Sequence, residues 1–223
     1  MPDELDTLLA KAELFREVPA EVRRELAAKS VHRVFQKGTI IFHRESTDRT
    51  LYLIASGRVR IYLVGESGRE VTLNVCGPGE TIGELALLDG RSRSASAAAI
   101  DDVVAYAIHP DDFARLLDIS PLAASVIRVL TARMRRATDD TESLALFDVF
   151  GRLARRLLEL ADRYGGGQEI DLELSQADLA SLVGATRETV NRALAAFRQQ
   201  GLIEQQGHRI VIMQPDLLRR RIQ

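Results

Sequence analysis

Between Val31 and Ile108 the hydrophobic pattern comes in short bursts that strands satisfy and helices do not. Val31-His-Arg-Val-Phe35, Thr39-Ile-Ile-Phe42, Leu51-Tyr-Leu-Ile54, Val59-Arg-Ile-Tyr-Leu-Val64, Val71-Thr-Leu-Asn-Val75 and Val103-Val-Ala-Tyr-Ala-Ile108 are β-branched or aromatic runs. Gly38, Gly57, Gly65, Gly68, Gly77 and Gly79 punctuate them. Short strands with turn residues at intervals predict a small sandwich or barrel, a β-roll enclosing either a pocket or a filled core. The flanks have a different texture. Leu5, Leu8, Leu9, Ala12 and Leu14, then Val22, Leu26 and Ala27, recur near helical spacing before the strands, and helical patterns dominate from Asp111 onward.

The 223 residues allow one large or two modest domains. With 46% hydrophobic and 28% charged residues the chain has the composition of a soluble globular protein. A single cysteine, Cys76, excludes an intramolecular disulfide framework, a multi-cysteine zinc site and an iron–sulfur cluster on the chain's own thiols. His32, His43, His109 and His208 are scattered without metal-ligand spacing, and Gly90-Arg-Ser92 lacks the second glycine of a nucleophile elbow. These readings predict no metal and no enzymatic activity. No apolar run reaches the ~18 residues of a membrane helix, and the start, Met1-Pro-Asp-Glu-Leu-Asp, is acidic where a signal peptide would be basic. A cytoplasmic chain without membrane contact is expected. The net charge of −2 conceals a gradient: residues 185–223 carry seven Arg against three acidic residues. That is a modestly basic end, weak by itself as a sign of nucleic acid.

A helix is predicted from Ser120, with Pro121 at its first position, to Phe147. Ile127, Leu130, Met134, Ala137, Thr141 and Leu144 follow one another at spacings of 3, 4, 3, 4 and 3, an a/d seam. Arg128, Arg133, Arg135, Arg136, Asp139, Asp140 and Glu142 make the other faces polar. So narrow a seam on so long a helix predicts pairing with its twin in a homodimer, the alternative being packing on its own domain. Asp148 reads as the N-cap of the next helix, which ends near Tyr164.

Residues 175–198 carry the chemistry of the C-terminal part. Ser175 with Asp178 resembles a capping box, Leu179, Leu182 and Val183 form an apolar face, and Gly184 supplies a left-handed turn. Thr186 then caps a second helix with Val190, Leu194 and Phe197 on its apolar side. This is a helix-turn-helix, and the hairpin predicted from Gly201-Leu-Ile to Arg209–Met213 makes it a winged one. Arg187, Glu188 and Arg192 lie on the polar side near the start of the second helix. Arg suits guanine O6 and N7, and a carboxylate suits the cytosine amine. The alternative is that they are solvated helix charges.

Residues 82–95 read Ile-Gly-Glu-Leu-Ala-Leu-Leu-Asp-Gly-Arg-Ser-Arg-Ser-Ala. Gly83 permits close backbone approach, a helical turn from Glu84 to Leu88 offers N–H groups, and Arg93 and Ser94 add a guanidinium and a hydroxyl. Together they suit a phosphate, with Glu84 toward a sugar; the bland alternative is a surface turn.

With these residues in view the sequence resembles the CRP/FNR transcription regulators over about residues 8–213, in the branch of the cyclic-AMP receptors or catabolite activators. Gly83-Glu-Leu85 with Arg93-Ser-Ala95, and Thr186-Arg-Glu-Thr-Val190 with Arg192, carry the likeness most specifically. The resemblance implies an α+β chain. Residues 1–119 would form a cyclic-nucleotide-binding β-roll (jelly roll), 120–147 a dimerisation helix and 148–223 a winged helix-turn-helix. It implies cyclic AMP as allosteric ligand, held by Gly83, Glu84, Leu85, Arg93, Ser94, Ala95 and Arg133, and by Thr138 of the second subunit. It implies double-stranded DNA as partner, read by Thr186, Arg187, Glu188, Thr189 and Arg192 at a TGTGA-N6-TCACA-like palindrome, and RNA polymerase as a further partner. The sequence departs from the family at Ala137, where a hydroxyl would contact adenine; cyclic GMP is thereby less excluded. The loop Tyr164–Glu169 is shorter than the surface the receptor protein turns to RNA polymerase. Two rivals stand beside this reading: a DNA binder with a vestigial pocket, and a cyclic-nucleotide-binding regulatory subunit of an enzyme or channel.

Overall fold

The computed structural model describes residues 2–117, 120–164, 169–170, 174–207 and 209–222. The chain forms two compact units, Met1–Leu63 with Leu73–Arg135, and Val64–Thr72 with Arg136–Gln223.

The first unit begins with helices Pro2–Lys11 (α1) and Ala20–Lys29 (α2). Strands Val31–Phe35 (β1), Ile40–Phe42 (β2), Leu51–Ser56 (β3), Val59–Val64 (β4), Glu70–Cys76 (β5) and Thr81–Ile82 (β6) follow. Helix Glu84–Asp89 (α3) separates β6 from Ser96–Ala99 (β7) and Val103–Ile108 (β8), and Pro110–Leu117 (α4) and Ser120–Leu146 (α5) come next. The strands make two four-stranded sheets, ordered β1-β8-β3-β6 and β2-β7-β4-β5. Their pairings β1·β8, β3·β8, β2·β7 and β4·β7 are antiparallel.

Alternation along β3 and β8 divides this unit's core in two. Tyr52 and Ile54, with Val103 and Ala105, join Phe42, Val59, Cys76 and Ile82 in a core fed by both sheets. Leu51 and Leu53, with Tyr106 and Ile108, point the other way, onto the helices through Leu5, Leu9, Phe15, Phe113, Leu122 and Val126. The period of two sends successive side chains to opposite faces, so one strand serves both cores. Each fully buried leucine contributes roughly 1.5–3 kcal/mol by leaving water.

Two strands of this unit were not readable in the sequence. Thr81–Ile82 has only two residues, and Ser96–Ala99 is alanine-rich and carries no β-branched signal. All four residues of β7 are buried and the strand lies between β2 and β4, so its small side chains suit a crowded inner position.

The long helix runs from Ser120 to Leu146 with Pro121 in its first turn. Its Leu122, Val126 and Val129 are buried in the first unit, and Leu130 of the predicted seam packs partly onto the same core. Other seam positions are open: Ile127 is 66% exposed, Met134 67% and Leu144 57%.

In the second unit Val149–Tyr164 (α6) leads to Glu169–Ile170 (β9), Gln176–Val183 (α7) and Arg187–Gln199 (α8). Ile203–Gln206 (β10), Arg209–Ile212 (β11) and Pro215–Arg219 (α9) complete it. Asp148 accepts a hydrogen bond from the Gly151 amide at 2.8 Å, the helix start expected of it. The predicted hairpin is the β10·β11 pair, and β9 adds a third strand on the far side of β11. Most of the loop 164–169 lies outside the described residues. The helices close over Leu153, Leu157, Ala161, Leu179, Val190, Leu194 and Phe197, with Phe150 edge-on to Phe197 at 6.1 Å. Arg152 donates to the Val183 carbonyl at 2.9 Å and the Phe147 carbonyl at 2.8 Å, capping the ends of two helices with one guanidinium.

Candidate nucleotide pocket and DNA interface

The segment 42–50 and the segment 83–93 meet around Arg93 in the first unit. The residue is 2% exposed. Its Nη1 donates to the Gly83 carbonyl at 2.7 Å, and its Nη2 donates to the Thr50 carbonyl and to Asp48 Oδ2, both at 2.6 Å. The guanidinium also lies over the Phe42 ring, 4.2 Å from its centre. Its Nε is buried and has no hydrogen-bond partner among the described residues. A buried N–H without an acceptor is costly, roughly 1–3 kcal/mol.

Gly83 adopts φ +89°, a left-handed conformation, and caps α3. A Cβ there would collide with Arg93 Nη1 and come within 3.0 Å of the Thr50 carbonyl. Only glycine lets the backbone approach this closely. The next residue, Glu84, is buried, and its carboxylate pairs with Arg133 Nη1 from α5. Arg133 Nη2 donates to the Thr81 carbonyl at 2.7 Å. Ala95 is buried, whereas Ser94 and Leu85 are exposed. Gly83 and Arg93 are thus in contact, as are Glu84 and Arg133. Thr138 and Ala137 are exposed on α5, in the part of the helix that belongs to the second unit.

The residues present fit an anionic ligand with a sugar. Arg93 offers a buried donor without an acceptor among the described residues, Gly83 lets the backbone lie directly against the Arg93 guanidinium, and Glu84 is a buried carboxylate able to accept from hydroxyls. Sequence reasoning missed Asp48, Thr50 and Phe42. No local pattern marks Asp48, 45 residues before Arg93. For its carboxyl, burial alone would push the pKa up, but hydrogen bonds from Thr50 and Arg93 outweigh it and hold Asp48 below the usual carboxylate range.

The second candidate site is the start of α8. Gly184 ends α7 at φ +61°, and Ser175 and Asp178 form the full capping box. Thr186 caps α8, its hydroxyl accepting from the Thr189 amide at 3.2 Å and meeting the Thr189 hydroxyl at 2.9 Å. Arg187, Glu188 and Arg192 are exposed along the first turns, while Val190, Ala193, Leu194 and Phe197 face inward. Arg192 reaches the Thr189 hydroxyl at 3.4 Å and Arg187 reaches Gln176 at 3.5 Å; such long contacts leave both guanidinium groups available. Among the described residues there is no group of three or more His, Cys, Asp or Glu able to hold a metal, and no helix is long and apolar enough to cross a membrane.

Residues 32–120 match the cyclic nucleotide-binding domain family, and residues 151–221 match the Crp-like helix-turn-helix domain family. The chain is similar to the CRP-like cAMP-activated global transcriptional regulator of Mycobacterium tuberculosis, at 35% identity over 222 residues, 97% of this chain and 99% of that one. Among solved structures it is similar to FixK2 of Bradyrhizobium japonicum, with a TM-score of 0.79 at 25% identity over 86% of this chain and 96% of that chain. It is also similar to the c-di-GMP responsive global regulator CLP of Xanthomonas campestris, with a TM-score of 0.74 at 26% identity over 87% and 99% of the two chains. A cyclic nucleotide-binding domain followed by a Crp-like helix-turn-helix, in a likeness that runs nearly end to end, shows that the chain belongs to the CRP/FNR family of transcription regulators.

Proposed function

We propose that the protein is a homodimeric, sequence-specific DNA-binding regulator switched by cyclic AMP. The observation that carries the effector half is the buried Arg93 Nε with no acceptor among the described residues. A cyclic phosphate would supply that acceptor, aided by the Ser94 hydroxyl and the backbone of Gly83, Leu85 and Ala95. Glu84 would accept from the ribose 2′-hydroxyl while Arg133 holds its carboxylate in place. Because Arg133 stands on α5, occupancy at Glu84 is felt by the helix whose exposed Ile127, Met134 and Leu144 are the dimer seam of this proposal. A ligand shifts such a pair only by binding one arrangement better than the other.

Adenine would be met by Thr138 of the partner subunit, with Ala137 contributing no hydrogen bond. One missing bond is worth ~1 kcal/mol, about fivefold in affinity, so discrimination against cyclic GMP is expected to be modest. The c-di-GMP responsiveness of CLP makes that dinucleotide a second effector to test alongside.

On DNA, Arg187 would read guanine and Glu188 the cytosine amine in a TGTGA-N6-TCACA-like palindrome, with Arg192 beside them and Thr186 and Thr189 toward phosphates. Transcription control through RNA polymerase completes the proposal. Binding-site selection with wild type and Arg187→Ala tests the readout. Wild type is expected to enrich a GTGA-core palindrome, and the variant to lose about 1–3 kcal/mol per half-site on it while losing much less on random DNA. Equal weakening on every sequence would reduce Arg187 to a phosphate clamp.

A further inference from the structure

A counter-charge stabilises a buried guanidinium that waits for its ligand, because an ion out of water is costly. In this fold the counter-charge is Asp48. Its Oδ2 accepts from Arg93 Nη2 at 2.6 Å, while its Oδ1 accepts from the Thr50 hydroxyl at 2.7 Å and the Thr50 amide at 3.2 Å. The Arg93 side chain is 1% exposed and the Asp48 side chain 46%, so the carboxylate stands at the wet rim of the clamp and the cation at its floor. The segment that carries Asp48 is tied to Arg93 by backbone as well. The Glu45 amide donates to the Arg93 carbonyl at 2.8 Å, and the Arg93 amide donates to the Ser46 carbonyl at 2.9 Å.

Arg93 does not need Asp48 to keep its place. The carbonyls of Gly83 and Thr50 and the face of Phe42 hold the same guanidinium without carrying charge. Asp48 therefore adds chiefly charge. We propose that Asp48 is a built-in competitor for the anionic group of the effector, neutralising Arg93 in the free pocket and raising the concentration at which the effector fills it. This rests on the reading of Arg93 as the phosphate clamp. A phosphate on Nε and a carboxylate on Nη2 share one planar cation and stand within about 6 Å of each other. At that separation, in a half-exposed setting with an effective dielectric of about 40–80, their repulsion is worth about three- to tenfold in affinity.

The test is calorimetric titration of the full-length protein with cyclic AMP and, separately, with adenosine, which lacks the phosphate. Asp48→Asn keeps the shape and an acceptor while removing the charge, and Asp48→Ala takes its place if the first variant does not fold. The expected result is about three- to tenfold tighter cyclic AMP binding than wild type, with no gain for adenosine. A merely structural role cannot give that result, since a loosened clamp binds more weakly. Unchanged or weaker cyclic AMP binding would overturn the proposal, as would an equal gain for adenosine, which would mean a more open pocket. A wild-type protein that binds no cyclic AMP at all would instead overturn the reading of the pocket on which the proposal rests.

Discussion

Arg93 is a structural cation as well as a candidate binding group. It ties Gly83 to Asp48 and Thr50, two stretches far apart in the sequence. Its partner gives a pH dependence with a definite sign. The Asp48 carboxyl titrates below its ordinary value of 3.8 in the folded chain, so the unfolded chain binds its proton first as pH falls. Asp48 thus stabilises the fold above that ordinary value, and the contribution disappears as pH drops through the lower folded value. Chemical denaturation of wild type and Asp48→Asn across the acid range is expected to show wild type the more stable near neutrality, with the gap closing below about pH 4. A gap that widened with acid would reverse the assigned sign. At this scale legibility followed sequence distance. Gly83, Glu84 and Arg93 lie within one short stretch whose residue types suit a phosphate, so they could be read directly. Asp48 and Phe42 reach Arg93 only because the fold brings the end of β2 and the segment after it against the segment before β7.

Elements were legible where a periodic pattern was bounded by capping residues. Ser175, Asp178, Gly184 and Thr186 mark the two helices of the DNA-binding motif, and all four take the conformations or bonds their chemistry predicts. β7 was hidden because its alanines answer to crowding between neighbouring strands, which no local propensity records. β9 was hidden because it is two residues long. For α5 the a/d spacing was visible, yet the sequence does not distinguish Leu130, which packs on its own unit, from Met134, which is exposed. Met134→Glu tests the seam at the position most open to a second helix. Two like charges brought together across a paired seam are expected to weaken the dimer, and DNA affinity is expected to fall with it because two half-sites are no longer bound as one unit. Sedimentation that found the variant as dimeric as wild type would remove Met134 from the interface.

At the scale of the whole molecule, the total charge of −2 gives no strong general attraction to DNA. Affinity in this account comes from a few exposed groups on α8, presented twice by a dimer and gated by a ligand at Arg93 and Glu84. Regulation by the proposed switch turns on that gating. Its most direct test is fluorescence anisotropy of a labelled TGTGA-N6-TCACA duplex titrated with the purified protein, with and without saturating cyclic AMP, at fixed salt. Two protomers are expected to bind each duplex, and affinity is expected to rise at least tenfold with the nucleotide, the shift a coupling of ~1.4 kcal/mol produces. Identical binding curves with and without cyclic AMP would contradict it, leaving a DNA-binding protein whose pocket does not govern it through this nucleotide.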